Sequence, residues 1–108
     1  MNGSRIVIAG VTYKANVSDQ RESPAKPVTA HLKAMGANVS FIDSHVDSFT
    51  VAGEEIPRIV DIGDVAKAAD VLIILQAHNE FLDSRELGHV DCILDTSGKF
   101  FGDNVDRL

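Results

Sequence analysis

The chain has one cysteine, Cys92, in 108 residues, so no internal disulfide is possible, and this usage fits a reducing compartment. No apolar run approaches the roughly 20 residues of a membrane-spanning helix, and no signal-peptide pattern is present. A soluble, cytoplasmic protein is expected. The ten Lys and Arg occur singly against sixteen Asp and Glu, for a net charge of −6. The basic footprint of a nucleic-acid or anionic-membrane binder is therefore lacking. An anionic ligand would have to be held by a few placed cations and by backbone N–H groups.

Other signatures are missing too. His31, His45, His78, His89 and Cys92 have no metal-ligand spacing, so no metal site is expected. No Ser-His-Asp order or glycine elbow marks a nucleophile, and Cys92, in an apolar run, has no neighbour that would activate a thiol. The glycine fingerprint G-x-G-x-x-G, which lets a pyrophosphate approach a helix start, is replaced by AGVTYK. That excludes a standard NAD-binding half. Internal repeats and low-complexity segments are also absent.

What is present is ordinary globular material, 44% hydrophobic and 24% charged, enough for one domain over residues 1–108. Ile6 to Ala9 is a short β-branched run ending at Gly10, the pattern of a strand buried on both faces. Ser23-Pro24 opens a helix as N-cap and first residue. Ala25, Val28, Leu32 and Met35 form its buried face, and Gly36 ends it. Asn38 to Ile42 is a second strand. Residues 44–60 read as two short extended pieces around Ala52-Gly53, a hairpin or edge insertion, with Pro57 arguing against a central strand.

Asp61 caps a short helix through Ala69. Val71 to Leu75 is the most apolar run and the candidate central strand. His78 to Leu87 forms one or two helical turns, Cys92 to Leu94 is the last buried strand, and the tail SGKFFGDNVDRL gives no clear periodicity. The alternation predicts a three-layer α/β/α Rossmann-like domain with a mainly parallel sheet of about five strands. In such sheets ligands bind beyond the carboxyl ends of the strands. Four stretches converge there: Gly10 to Ser23, Asp43 to His45, Gln76 to His78 and Asp95 to Lys99. A receiver-like or flavodoxin-like module is disfavoured, because Arg5 and Gly10 bracket the first strand where acids are needed and VLIIL runs into Gln76.

The stretch richest in chemistry is residues 10–27, GVTYKANVSDQRESPAKP, a connection longer than packing alone requires. Tyr13-Lys14 offers a ring to stack on a base or sugar and a cation for a phosphate; the alternative is a surface lysine beside a packing tyrosine. Arg21 before a helix start suits an anion, although Asp19 and Glu22 equally suit local pairing with it. Asp43 follows the second strand, where a ribose-binding acid often sits. Without the glycines, a turn or capping role is favoured over that one.

GVTYKANVSDQRESPA followed by HLKAMGANVSFIDSHV resembles the C-terminal domain of the UDP-glucose/GDP-mannose dehydrogenase family. The family pattern G-[LF]-[TA]-[YF]-K-x-x-x-x-D-x-R-x-S-P is matched by Gly10, Thr12, Tyr13, Lys14, Asp19, Arg21, Ser23 and Pro24. AADVLIIL, a His followed by Phe81, and a strand into Asp95-Thr96 follow in family order, so the likeness covers nearly the whole chain. The wording KANVSDQRESPA is nearest to the UDP-N-acetylmannosamine dehydrogenase branch.

The resemblance implies a UDP-sugar-binding domain of an enzyme that oxidises the sugar C6 alcohol to a carboxylate with NAD. The NAD would be bound mainly by a domain absent from this chain. Partners would be the UDP-sugar, the NAD-binding domain and a central helical domain that makes a homo-oligomer. It implies substrate contacts from Tyr13 and Lys14 and a cofactor contact from Arg21. It supplies no catalytic residue in this chain, because the family's nucleophilic cysteine lies upstream and Cys92 does not match it. Two positions depart from the pattern. The family's Asp-x-Arg after the last strand is Asp95-Thr96-Ser97, which leaves Lys99 as the nearby cation for substrate, and the usual Asp-Pro after the second strand is Asp43-Ser44. Ser97 also keeps open an alternative, a non-catalytic interaction or regulatory domain that retains the fold without the ligand.

Overall fold

The computed structural model describes residues 3–11, 24–76, 90, 92–95 and 105–107. Ten elements follow in order: β1 Arg5–Ala9, α1 Ala25–Ala34, β2 Asn38–Ile42, β3 Thr50–Val51, β4 Glu54–Glu55, a 3-10 turn Ile62–Asp64 running into α2 Val65–Ala68, β5 Val71–Ile74, β6 Ile93–Asp95 and β7 Val105–Arg107. Five strands form one sheet in the order β2-β1-β5-β6-β7, all parallel, and β3-β4 form a separate antiparallel pair. Counting only the sheet strands, this is the doubly wound order 2-1-3-4-5, in which the chain reverses direction across the sheet between β1 and β5. Flavodoxin-type sheets use the same order. Strand order alone therefore does not separate the two classes; the residues at the strand ends do.

Period-two alternation assigns each strand residue to one of two layers. Ile6, Ile8, Val39, Phe41 and Ile73 face α1, where Ala25 and Leu32 meet them, while Val7, Ala9, Ile42, Leu72, Ile74 and Ile93 face α2 through Val65 and Ala69. Both faces of the sheet are thus covered, as the unbroken apolar runs of β1 and β5 require.

Helix α1 presents Ala25, Thr29 and Leu32 to the sheet, with Val28 partly buried. Met35, expected on that face, is 46% exposed. It is the C-cap residue at φ −86° and ψ 3° and has left the helical path, so helical spacing no longer places it. Thr29 fills the turn between Ala25 and Leu32 instead, a position that counting apolar residues passes over. The helix closes in a Schellman motif: Gly36, at φ +90°, donates to the Lys33 carbonyl, and Ala37 N–H reaches the Leu32 carbonyl at 3.1 Å. At the other end Pro24 occupies the N-cap position, one residue earlier in the helix than its sequence pattern predicts.

The segment after β2 is a hairpin insertion, as its extended pieces predict. Ala52 and Gly53 both have positive φ, 53° and 81°, the signature of a two-residue type I′ turn. Phe49 meets Phe41 edge-on at a centroid distance of 5.6 Å, and Lys33 pairs with Glu54, so the hairpin is seated against both sheet and helix. Residues 57–59 then return along the outer edge of β2. Phe41 N–H donates to the Pro57 carbonyl at 2.9 Å and Ile59 N–H to the Phe41 carbonyl at 2.8 Å. Pro57, lacking a donor, sits at the sheet margin, and the strap covers what would be an open edge.

Two assignments near the C-terminus shift. The strand expected over Cys92 to Leu94 runs over Ile93–Asp95, and it is not the last, because β7 lies beside it. Three residues with two charges, Val105–Arg107, carry too short a pattern to reveal a strand. The helical turns expected at His78 to Leu87 lie outside the described residues.

Candidate functional site

All five strands are parallel, so their carboxyl ends share one edge of the sheet. That edge carries Gly10 and Val11 after β1, Asp43 after β2, Leu75 and Gln76 after β5, and Asp95 closing β6. Helix α1 runs the opposite way. Its C-terminal Gly36 accepts from Gly3 N–H at 2.9 Å, at the amino edge, which puts Pro24 and the helix start at the carboxyl edge. The roots of all four stretches singled out in the sequence therefore meet here.

Gly10, just past β1, closely approaches Gln76, just past β5. It has φ +85°, and a Cβ added there would fall 2.6 Å from both the Cβ and the carbonyl oxygen of Gln76 and 2.9 Å from its nitrogen. No side chain fits. Leu75 N–H at 3.0 Å and Gln76 N–H at 3.4 Å both donate to the Ala9 carbonyl, while Gly10 N–H donates to Ile42 at 3.1 Å. The turn out of β1 is thus stitched to both neighbouring strands.

Asp43 is fully buried. Its Oδ2 accepts from Val11 N–H at 2.9 Å and its Oδ1 from His45 N–H at 2.8 Å. Its carbonyl accepts from Val46 N–H at 3.4 Å and from Arg58 Nη2 at 3.3 Å. A buried carboxylate needs such partners, and backbone N–H groups are effective ones. A turn-capping role for Asp43 agrees with this geometry, and a ribose contact does not, because the side chain is sealed from solvent. Arg58 is a further member of this edge. The guanidinium lies at the same edge, 4.0 Å from Asp47 Oδ1, with Nε buried and without a partner among the described residues. Alternation in EEIPRI, with Ile56 buried and Arg58 one step beyond Pro57, was the only signal for it.

Asp95 is likewise fully buried, in backbone register with Ile74 and Arg107. His45 is exposed, and no cluster of His, Cys, Asp and Glu able to hold a metal exists among the described residues. Tyr13, Lys14, Arg21, Ser97 and Lys99 lie outside the described residues; the structure places their flanks, Val11, Pro24 and Asp95, at the shared edge. Grooves lined by Lys33, Ala34, Glu54 and Asn38 sit toward the opposite, amino edge and have no part in this arrangement.

The start of α1 differs from a dinucleotide cradle in two respects. It begins at Ala25, after the fifteen residues 10–24 that follow β1. Its first turn also contains Pro24 and Pro27, which have no N–H to give, so only Ala25 and Lys26 contribute amides there.

Residues 7–100 match the family model described as UDP-glucose/GDP-mannose dehydrogenase family, UDP binding domain. The chain belongs to this family. It is 39% identical over 77 residues to a UDP-N-acetyl-D-mannosamine dehydrogenase of Methanococcus maripaludis, a match covering 71% of this chain and 17% of that protein. It is 34% identical over 82 residues to a UDP-glucose 6-dehydrogenase of Rhizobium meliloti, covering 75% and 19%. Among solved structures, the UDP-N-acetyl-mannosamine dehydrogenase of Staphylococcus aureus superposes with a TM-score of 0.72 at 26% identity, covering 99% of this chain and 26% of that one. The UDP-D-ManNAc dehydrogenase of Pyrococcus horikoshii shares the fold with a TM-score of 0.77 at 19% identity, covering 98% and 25%. The relatives are oxidoreductases by name, and this chain spans between 17% and 26% of their lengths. No helix among the described residues is long and apolar enough to cross a membrane.

Proposed function

We propose that this chain is the C-terminal, UDP-sugar-binding domain of a cytoplasmic, NAD-dependent nucleotide-sugar 6-dehydrogenase, and that alone it is catalytically silent. The observation that carries the reading is the 10–24 stretch. Its family pattern is complete apart from Val11, and both of its flanks stand at the carboxyl edge, where a parallel sheet presents ligands. Tyr13 packs against the base or sugar. Lys14 and Lys99 meet the diphosphate as point charges, Lys99 in place of the arginine that Ser97 replaces. Arg21 reaches toward the cofactor.

The residues present here do not make an NAD cradle of their own, because β1 is followed by AGVTYK in place of the glycine fingerprint and the first turn of α1 has two prolines without an N–H. NAD therefore belongs to another domain of the enzyme, which with a central helical domain completes a homo-oligomer. The work of this chain is positioning: it fixes the nucleotide end of the substrate and so orients the C6 carbon for oxidation.

The test is titration calorimetry with UDP on the folded chain. Weak, saturable heat at millimolar ligand is expected, and Lys14→Ala should weaken it about tenfold, the scale of one charge-assisted phosphate contact. Absence of heat at millimolar UDP from a folded chain refutes the proposal.

A further inference from the structure

We infer that Asp43 is a positioning residue for the nucleotide site: a buried clamp that fixes where and in which direction the functional stretch leaves the sheet. The inference rests on the proposed function for its ligand. The residue lies one strand away from the root of that stretch, and its carboxylate is fully buried. Its two oxygens do separate things. Oδ1 closes a local turn by accepting from His45 N–H at 2.8 Å, two residues ahead. Oδ2 reaches across to Val11 N–H at 2.9 Å, thirty-two residues earlier in the chain and the last described residue before Thr12, Tyr13 and Lys14.

Val11 is past the end of β1, so the sheet's own ladder does not hold its amide. Without Asp43 that amide would be a donor buried with no partner in this fold, since Val11 is fully buried. Arg58, donating to the Asp43 carbonyl, and the 57–59 strap hold the clamp from the outer side of β2. The last described amide before Thr12 is therefore held by a charge-assisted bond to Asp43.

Two variants separate the roles. Asp43→Asn keeps the shape, but its amide group can accept from only one of the two N–H groups. Asp43→Ser can still accept from His45 N–H in the manner of a serine turn, yet is too short to reach Val11. Two measurements are made on the folded 108-residue chain. The first is hydrogen exchange by NMR at Val11 relative to Ile8, which is fully buried in the centre of β1 and reports global opening. The second is UDP affinity by the same titration as above.

For Asp43→Ser the Val11-to-Ile8 exchange ratio should rise at least about tenfold, the scale of a lost charge-assisted bond, and UDP affinity should fall by a similar factor. Loss of stability alone would move both amides together and leave the ratio unchanged. An unchanged ratio overturns the clamp, and a raised ratio with wild-type UDP affinity overturns the positioning role. Failure of the wild-type chain to bind UDP refutes the functional reading instead, while the exchange ratio still decides the clamp. If Asp43→Ser does not fold, Asp43→Asn is read by the same two criteria.

Discussion

Replacing Gly10 with alanine tests the geometry of the ligand edge at its tightest point. Two costs add. An L residue held at the positive φ of 85° costs about 1–2 kcal/mol. The new Cβ would also stand 2.6 Å from the Gln76 carbonyl oxygen and Cβ and 2.9 Å from its nitrogen, so the ends of β1 and β5 must part. Forced overpacking of this kind costs about 1–3 kcal/mol. The sum, about 2–5 kcal/mol, is a large part of the roughly 5–15 kcal/mol that holds a domain of this size together. Urea unfolding followed by circular dichroism should show a lowered midpoint with unchanged slope, and the melting temperature should fall by roughly 10–30 °C. Gln76→Gly in the same background removes one of the three contacts and leaves two backbone atoms in place, so it should recover less than half of the loss. A Gly10→Ala protein within about 1 kcal/mol of wild type would refute the close approach. Full recovery by Gln76→Gly would show that the side chain, not the backbone, sets it.

Further outcomes follow from single contacts. Thr29 is fully buried on α1, and its Oγ1 has no partner among the described residues, so Thr29→Val should raise stability by about 1 kcal/mol, read as a melting rise of roughly 4–8 °C. A fall instead would mean that the hydroxyl is bonded within the native fold. Asp70, hydrogen-bonded to the Arg5 guanidinium at 3.0 Å, and Glu54, hydrogen-bonded to Lys33, are both held below the usual carboxylate range. Their contribution is present above the unfolded carboxylate values of about 4 and is lost as pH falls through the lower folded values. Both pairs are exposed, so Asp70→Asn should flatten the acid limb of a stability–pH profile slightly, and less at high salt. An Asp70→Asn profile that parallels wild type at low salt would rule this out.

The parts of the fold legible in the sequence were those where one interaction dictates the local chain. Unbroken apolar runs needed cover on both faces and gave β1 and β5. Gly36 needed a positive φ and ended α1. Ala52-Gly53 made the hairpin turn. The parts that were not legible depend on a partner distant in sequence. Thr29 is buried because the sheet lies beneath it, not because of its polarity. Met35 is exposed because the helix has already closed. β7 is a strand only because β6 offers it an edge. The site divides in the same way. Tyr13, Lys14, Arg21 and Lys99 are proposed from residue types and family resemblance, and the turn-capping role of Asp43 follows from its place after β2; its bond to Val11 and the part played by Arg58 appear only when β2 is laid beside β1 and the 57–59 strap beside β2.

This division bears on how a doubly wound sheet can present a ligand edge without a dinucleotide fingerprint. In the fingerprint fold, a glycine turn delivers a helix start directly to the pyrophosphate, and backbone amides do the recognition. Here fifteen residues separate β1 from α1, and prolines at the N-cap and third helical positions leave that start with the amides of Ala25 and Lys26 alone. An anion at this edge then draws on few amides of α1 itself, and recognition by other groups is only as precise as the backbone that carries them. A glycine that tolerates no Cβ and a buried carboxylate holding the Val11 amide fix that backbone where it leaves β1. The glycine after β1 serves strand approach: it brings the end of β1 against Gln76 at the end of β5.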